Sequence, residues 1–189
     1  MNYLKKKIEE EASVLPGNIL LVDRFLNQGL DIQLLQWLGQ DIAKRFSGKN
    51  IDLVLTIEAS GIAIAVATAS ALGVNAAFAK KHESINLSGE LWTSRAYSYT
   101  KQREYQVALA KKILNSGMRV LIVDDFLARG MAMGALIELV QQADAEVAGI
   151  AVAIEKHFQD GGEKLREAGF DLYSAVRVKS LKDGTVDLL

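Results

Sequence analysis

The strongest constraint on the fold is an alternation of short apolar runs, rich in β-branched residues, with segments of helical pattern. Ile51–Ile57 is a run typical of a strand covered on both faces, and Ala63–Leu72 behind it is an alanine-rich helix that ends at Gly73. Met118–Asp125 is the strongest strand signal in the chain. Strands that alternate with helices predict βαβ units, a parallel sheet and right-handed crossovers. The sequence therefore predicts an α/β fold.

The rest of the chain continues this alternation, and we expect one domain over residues 1–189. Further elements are predicted in the following places: strands at Val74–Ala79, Tyr105–Ala110, Val147–Ile154 and Leu172–Val178, and helices at Met133–Ala143 and Gly162–Ala168. The first fifty residues are mostly helical in pattern and are expected to lie outside the sheet. The stretch Lys80–Lys101 is polar, and no strand is assigned to it.

Composition and charge exclude several classes of function. The chain has no cysteine, which excludes disulfides, cysteine-bound metals and a thiol nucleophile, and His82 and His157 stand in no metal-ligand spacing. A formal net charge of −1 provides no field to recruit nucleic acid or an anionic membrane. Met1–Glu11 lacks the apolar core of a signal peptide, and the longest apolar run, Ile62–Ala71, is too short to span a bilayer. We expect a cytoplasmic protein that binds neither nucleic acid nor membrane.

One strand end carries residues suited to chemistry. Four apolar residues lead into the adjacent acids Asp124 and Asp125, and a turn with Gly130 then begins a helix. Ligands of open α/β sheets bind beyond the carboxyl ends of strands, and such a turn presents N–H groups and a helix dipole to a phosphate. Two carboxylates there make chemical sense if they face neutral hydroxyls or a developing cation, both of which a ribose 5-phosphate supplies. An isolated pair of acids more often caps a turn, so that alternative stays open.

The surrounding pattern resembles the motif that binds phosphoribosyl diphosphate (PRPP) in type I phosphoribosyltransferases. Here the turn reads Ala128, Arg129, Gly130, Met131, Ala132 and lacks the threonine hydroxyls of the usual motif. Alanines in these places are similar to bacterial xanthine phosphoribosyltransferases, a subgroup of that family. Seven ordered segments carry this resemblance across nearly the whole chain: Lys5–Glu11, Val22–Asn27, Thr56–Ala63, Ala79–His82, Tyr97–Gln102, Val123–Ala128 and Ile154–Lys156.

The resemblance implies a fold and a set of site residues. The implied fold has a central, mainly parallel sheet flanked by helices, with a small N-terminal hood. Asp124 and Asp125 are the implied catalytic residues, which bind the ribose hydroxyls and stabilise the positive charge that develops as diphosphate leaves. The implied PRPP-binding residues are Ala128, Arg129, Gly130, Met131 and Ala132 for the 5-phosphate, Glu58, Ala59, Ser60 and Gly61 for the diphosphate, and Lys81 at the start of a closing loop. For Ser60 alone, a helix N-cap is an equal alternative.

The resemblance also implies residues that recognise the base: Leu20 and Asn27 of the hood, and Lys156 after a strand. A lysine ammonium only donates hydrogen bonds, so Lys156 suits a 6-oxo group and disfavours the 6-amino group of adenine. Asn27 can turn its amide toward the 2-oxo group of xanthine. Phe158, or an aromatic residue within Trp92–Tyr99, is a candidate to stack on the ring.

The implied reaction is displacement of diphosphate from PRPP by N9 of xanthine, which gives XMP. Mg²⁺ would be bound mainly through PRPP, and the resemblance implies a homodimer. A hypoxanthine/guanine phosphoribosyltransferase is the nearest alternative. A non-catalytic, PRPP-sensing regulator is an alternative from another class, but it would be expected to carry a winged-helix domain. The first fifty residues are too few for one and show no concentrated basic stripe.

Overall fold

Helices and strands alternate through the part of the chain that the computed structural model describes, which is residues 2–82, 90–98, 103–182 and 184–189. The helices are α1 (Tyr3–Glu11), α2 (Ile32–Phe46), α3 (Gly61–Leu72), α4 (Met131–Gln142) and α5 (Gly161–Glu167). The strands are β1 (Ser13–Leu15), β2 (Ile19–Leu21), β3 (Leu53–Ile57), β4 (Asn75–His82), β5 (Leu91–Ser98), β6 (Arg103–Ala110), β7 (Arg119–Leu127), β8 (Glu146–Lys156), β9 (Leu172–Lys182) and β10 (Thr185–Leu188). None of the helices in these ranges has the length and apolar character needed to cross a bilayer.

A single twisted sheet occupies the centre of the described structure. Its strand order is β10-β9-β8-β7-β3-β4-β6-β5. The central strands from β9 to β4 run parallel, whereas β10 at one edge and β5 and β6 at the other pair antiparallel. Parallel neighbours need crossover connections, which α3, α4 and α5 provide. The prediction of an α/β fold with a mainly parallel sheet flanked by helices is confirmed.

Helices bury both faces of the sheet, and β7 shows why its sequence is so apolar. Leu121 and Val123 belong to the hydrophobic cluster that contains residues of α1, α2 and α3. Val120 and Ile122 point the other way, into the cluster that contains residues of α4 and α5. A strand covered on both faces reads as a continuous apolar run rather than an alternating one.

The first fifty residues contain a hairpin that the helical pattern did not predict. Strands β1 and β2 pair antiparallel, with Val14 opposite Leu20, and form a sheet separate from the main one. The turn between them has φ 87° at Gly17 and φ 61° at Asn18. This left-handed region is open to glycine and tolerated by asparagine, so the pair Gly17-Asn18 was a usable turn signal. A hood outside the main sheet is therefore present, but it is not wholly helical.

The polar stretch Lys80–Lys101 also holds more strand than the sequence predicted. Strand β4 continues to His82, and β5 pairs with β6 along its whole length. Alternate residues of an edge strand can face solvent, which makes a polar sequence compatible with pairing. Only part of β5 is buried, as at Ser94 and Ala96. Residues 83–89 and 99–102 lie outside the described ranges, and part of the predicted closing loop falls on them.

The contact between α2 and α3 depends on a missing side chain. A Cβ on Gly39 of α2 would lie 2.5 Å from the carbonyl carbon of Ala67 in α3, closer than two such atoms can approach. The obstruction is backbone, which cannot rotate aside as the end of a long side chain would. Gly39 therefore sets how closely α2 packs against the helix that follows β3.

We expect Gly39→Ala to lower the free energy of unfolding by about 1–3 kcal/mol, because α2 and α3 must separate. Gly134→Ala in α4 is the matched control, since a Cβ there meets nothing within 4 Å. Alanine favours a helix over glycine, so the control is expected to be neutral or stabilising by about 0.5–1 kcal/mol. Urea denaturation measures both, and equal unfolding midpoints for the two variants would contradict the packing argument.

Candidate active site

The acids Asp124 and Asp125 lie where the strand order of the sheet reverses. Strand β3 leads through α3 to β4 on one side, whereas β7, its other neighbour, leads through α4 to β8 on the opposite side. The helices that follow β3 and β7 leave toward opposite faces, so a crevice opens between the carboxyl ends of these strands. Both acids belong to β7, which runs two residues further than predicted, to Leu127.

A cavity of about 640 Å³ occupies this crevice. The predicted residues that line it are Lys81, Asp124, Asp125, Ala128, Arg129, Gly130, Met131, Ala132 and Lys156. The structure thus brings together both acids, the whole predicted phosphate turn, one lysine from the end of β4 and one from the end of β8. Convergent polar groups at the edge of a parallel sheet are typical of a small-molecule site of this size.

The predicted phosphate turn offers backbone donors without help from hydroxyl side chains. Gly130 has φ 80° and precedes the first residue of α4, and no side chain caps this end of the helix. The first N–H groups of a helix have no partner within the helix, and its dipole favours a negative charge there. An anion can bind to these groups directly. Such binding does not need the threonine hydroxyls that the turn Ala128–Ala132 lacks.

Asp124 is almost completely buried, with 7 % of its surface exposed. A Cβ on Gly61 would lie 2.8 Å from its Oδ1, so the missing side chain lets the turn after β3 approach the carboxylate. The pKa of Asp124 lies well above its ordinary value, because burial and then the charge of Asp125 disfavour the ionised form. The N–H of Asp125, which donates to Oδ1 at 2.9 Å, and the charge of Lys81 act in the opposite direction.

Glu58 contacts the protein rather than the cavity. Its Oε1 accepts a hydrogen bond from the backbone N–H of Lys81 at 2.8 Å, which links the ends of β3 and β4. The Lys81 ammonium lies 5.8 Å from the centre of the Tyr105 ring and is close enough to Asp124 to lower the pKa of that carboxyl. The peptide bond between Glu58 and Ala59 is cis. Within the predicted diphosphate segment, Glu58 thus holds the backbone of the lysine that enters the cavity.

Tyr105 is a lining residue that sequence reasoning missed. It stands on β6, and its ring borders the cavity together with Lys81 and Asp124. Burial, followed by the charge of Asp124, raises the pKa of its phenol. Residues Gly17–Ile19 of the hairpin turn and Gln159 also line the cavity without having been predicted. Tyr105 and the hairpin turn are far in sequence from the acids, so no local pattern near the acids indicates that they line the same cavity.

Three more of the predicted residues, two for the diphosphate and one for the base, border a second region. An apolar cavity of about 630 Å³ is lined by Ala59, Ser60 and Asn27, together with residues of α2 and α3. The side chain of Ser60 makes no cap hydrogen bond to α3. Leu20 is 5 % exposed, belongs to the hydrophobic core and lines neither cavity. The structure therefore does not bring Leu20 and Asn27 together with Lys156.

Lys156, predicted to recognise the base, lines the first cavity. Its Nζ donates to the carbonyl oxygen of Asn18 in the hairpin turn at 3.0 Å and lies 5.7 Å from the centre of the Phe126 ring. Burial lowers the pKa of this lysine. An ammonium has three N–H donors, so donors remain for an oxygen of a ligand. The contact with Asn18 places the hood turn above the same cavity.

Two of the proposed stacking residues lie away from this cavity. Phe158 is 37 % exposed and is not among the lining residues. Trp92 packs against the hydrophobic cluster on the α4 side, and the Lys111 ammonium lies 4.8 Å from its ring. The side chain of Tyr97 and all of Tyr99 lie outside the described structure. Phe126, which was not predicted, lines the cavity near the Lys156 ammonium.

Comparison with known proteins identifies the family. The model of the phosphoribosyl transferase domain matches residues 18–186, which include every element that lines the cavity. The chain belongs to the phosphoribosyl transferase family.

Relatives and solved structures agree with this assignment. The chain is 48% identical to a xanthine phosphoribosyltransferase of Bifidobacterium adolescentis, over 99% of this chain and 98% of the relative. It is 48% identical to a xanthine phosphoribosyltransferase of Bacillus cytotoxicus, over 98% of this chain and 94% of that one. An adenine phosphoribosyltransferase structure from Trypanosoma brucei superimposes with a TM-score of 0.79 at 18% identity, covering 96% of this chain and 82% of that chain. The last likeness concerns the fold alone.

We expect Asp124→Asn to make this phosphoribosyl transferase more stable at neutral and alkaline pH. Because the pKa of Asp124 is raised on folding, the folded state holds the proton more tightly than the unfolded state. Stability is therefore lost as pH rises above the ordinary value of 3.8 and through the raised value. The amide cannot ionise, so it avoids this loss.

Thermal unfolding of wild type and Asp124→Asn between about pH 4 and pH 8 tests the expectation. The melting temperature of the variant should exceed that of wild type at the upper end, and the difference should vanish toward the lower end. Asp187→Asn, at an exposed acid of β10, serves as the control and should show no such gain. A constant difference at every pH would contradict the assigned cause.

Proposed function

We propose that this phosphoribosyl transferase joins xanthine to the sugar of PRPP and releases diphosphate and XMP. The observation that carries the proposal is a single cavity that contains two adjacent acids, a backbone turn for the 5-phosphate and a lysine for the base. The xanthine phosphoribosyltransferases of Bifidobacterium adolescentis and Bacillus cytotoxicus, similar over nearly their whole lengths, support xanthine as the base. The enzyme is a pentosyltransferase.

The protein contributes alignment and charge rather than a covalent nucleophile. The bond from C1 of the ribose to the diphosphate oxygen breaks with its electron pair leaving on diphosphate, while N9 of the base forms the new bond and gives up its proton. With the 5-phosphate on the turn Ala128–Ala132, Asp124 and Asp125 face the ribose hydroxyls and the positive charge that develops at C1. A carboxylate buried in this way interacts strongly with such a charge and needs no rearrangement when the charge forms.

Asp124→Asn should therefore lower kcat by about 10²-fold.

The diphosphate end of PRPP is assigned to Lys81 and the segment Glu58–Gly61. The Lys81 ammonium enters the cavity beside Asp124, which supports its proposed contact with diphosphate. Gly61 lies against the same carboxylate, so the segment after β3 borders the position of C1. Glu58 acts indirectly, through its hydrogen bond to the backbone of Lys81. The contacts proposed for Ala59 and Ser60 stay predictions.

A magnesium ion held mainly by PRPP fits the oxygen donors of this cavity. Among the residues that the structure describes, no group of three or more acidic or histidine side chains could hold a metal by itself. Asp124 and Asp125 supply adjacent carboxylates. Magnesium commonly binds through phosphate oxygens, one or two carboxylates and water, which matches this set. When bound, it would neutralise charge on the departing diphosphate.

The base end of the cavity suits an oxopurine. Lys156 can donate to a 6-oxo group while one of its hydrogens remains on the Asn18 carbonyl. Adenine presents an amine there, which donates as the lysine does and leaves both groups unsatisfied. The same reasoning admits hypoxanthine and guanine, so these bases are the nearest alternatives. Contacts of Leu20 and Asn27 with the base stay predictions, and so do a homodimer and a cytoplasmic location.

The direct test offers purified protein, Mg²⁺ and PRPP with xanthine, guanine, hypoxanthine or adenine, one at a time. We expect base-dependent release of diphosphate with kcat/KM highest for xanthine and lowest for adenine. The alternative of a non-catalytic PRPP sensor predicts PRPP binding and no release with any base. A higher kcat/KM for guanine or hypoxanthine would support the proposed reaction but show that xanthine is not the preferred base.

Replacing Lys156 tests the base end separately. We expect Lys156→Gln to lower kcat/KM for the three oxopurines by about 10- to 100-fold, the effect of losing a hydrogen bond from a charged donor. The value for adenine should not fall, because the glutamine carbonyl can accept from its amine. Lys179→Gln, at a lysine of β9 that is exposed, is the control and should behave as wild type. An equal loss of kcat/KM for all four bases would show that Lys156 does not distinguish oxopurines from adenine.

A further inference from the structure

Glu155 carries a buried carboxylate that the reaction does not use. Only 1 % of its surface is exposed. Arg166 of α5 donates two hydrogen bonds to it, at 2.9 Å to Oε1 and 2.6 Å to Oε2, and the Ser174 hydroxyl of β9 also donates to Oε2. Burial alone would raise the pKa of Glu155, but the bonds from Arg166 and Ser174 lower it below its ordinary value. The result is a bidentate ion pair directly before Lys156 in the chain.

Gly162 brings the start of α5 against this ion pair. A Cβ at this position would overlap Oε1 of Glu155 and lie 2.7 Å from its carboxyl carbon and 2.9 Å from Nη1 of Arg166. A side chain here would therefore displace the carboxylate, the guanidinium or both. Both charged groups are held by several bonds, so neither can move at little cost.

The preceding residue, Gly161, makes an equally close contact with the phosphate turn. Its N–H donates to the carbonyl oxygen of Ala128 at 3.1 Å. A Cβ on Gly161 would overlap that oxygen and lie 2.7 Å from the carbonyl carbon of Arg129 and from the nitrogen of Gly130. These are backbone atoms of the segment that presents N–H groups to the 5-phosphate. Any side chain at Gly161 would push that segment away from α5.

Strands β7 and β8 do not by themselves hold these two segments together. Their pairing ends with Leu127 opposite Glu155. The phosphate turn begins immediately after Leu127, and Lys156 follows Glu155. Beyond this point, Gly161 contacts the phosphate turn, and Gly162 contacts the Glu155 side chain next to Lys156. The distance between the 5-phosphate and the base therefore depends on how α5 begins.

We propose that Gly161 and Gly162 are positioning residues that fix the phosphate turn relative to the base-binding Lys156. The proposal rests on the proposed function, because it assigns PRPP to the turn and the base to Lys156. Gly161 holds the turn Ala128–Gly130, and Gly162 leaves room for the Glu155–Arg166 ion pair that anchors the end of β8. Displacement at C1 requires N9 and the sugar to meet within a narrow range of distance, so this spacing bears directly on the rate.

The test compares Gly161→Ala, Gly162→Ala and the matched control Gly134→Ala with wild type, measuring kcat and KM for each substrate with the other saturating. Gly161→Ala is expected to raise KM for PRPP by about tenfold, with KM for xanthine within about twofold. Gly162→Ala is expected to raise KM for xanthine by about tenfold, with the smaller effect on PRPP. Gly134→Ala should leave all three constants at their wild-type values.

A second variant covers the case in which an alanine variant does not fold. Arg166→Lys keeps the positive charge but cannot bind Glu155 through two parallel hydrogen bonds. It leaves both glycines in place and is expected to raise KM for xanthine, as Gly162→Ala does, without changing KM for PRPP. Thermal unfolding of each variant shows whether a folded protein is being assayed.

The outcomes separate the possibilities. A loss of kcat that matches the loss of folded protein, with both KM values unchanged, would show that the glycines serve stability alone and would overturn the proposal. Equal changes of both KM values in both alanine variants, or no change in Arg166→Lys, would overturn it as well. Wild type without base-dependent release of diphosphate would instead refute the proposed function.

Discussion

The approach of Gly61 to Asp124 is the contact on which the active site depends. It occurs where β3 and β7 lie side by side and their helices leave toward opposite faces, and a Cβ on Gly61 would overlap Thr56 Oγ1 and lie 2.8 Å from Asp124 Oδ1. The contact buries a carboxylate next to a second one, an arrangement that is unfavourable for the folded state on its own. Apolar residues packed on both faces of β7 hold the two acids in this arrangement. The folded state thus loses stability at the point where the proposed reaction develops positive charge.

Much of the core could be predicted from local sequence because burial leaves a direct trace. A strand enclosed on both faces is continuously apolar, so β3, β7 and β8 were recognisable. The acids near the end of β7 and Gly130 in the turn after it indicated the site. The strands at the sheet edges and in the hood have a weaker sequence pattern. β5 is polar on its outer face, and β1 and β2 are three residues each, too short for any period to show. Their pairing depends on partners that the local pattern does not reveal.

The composition of the site was predictable only in part, for a related reason. The phosphate turn and the acids are contiguous in sequence, so one motif contains them. The end of the cavity near Lys156, which is proposed to bind the base, is assembled from segments far apart in sequence. The 138-residue separation between Lys156 and Asn18 shows this. Tyr105 borders the same space without any motif of its own, and Phe126 lies within the motif of the acids but was not selected. Resemblance to a family could suggest Leu20 and Asn27, but whether they meet the base depends on how the hood sits, which no sequence period encodes.

The hydrogen bond between Lys156 and the Asn18 carbonyl has a consequence for how such enzymes diversify. The hood contacts Lys156 through a main-chain oxygen at the tip of a two-stranded hairpin, which takes no part in the central sheet. Lengthening, shortening or twisting that tip would redirect the ammonium while leaving the acids and the phosphate turn untouched. Lineages could thereby exchange one purine for another through loop remodelling, with the bond-breaking apparatus inherited intact. If Lys156 recognises the base as proposed, a hairpin separate from the central sheet allows base preference to change independently of the acids.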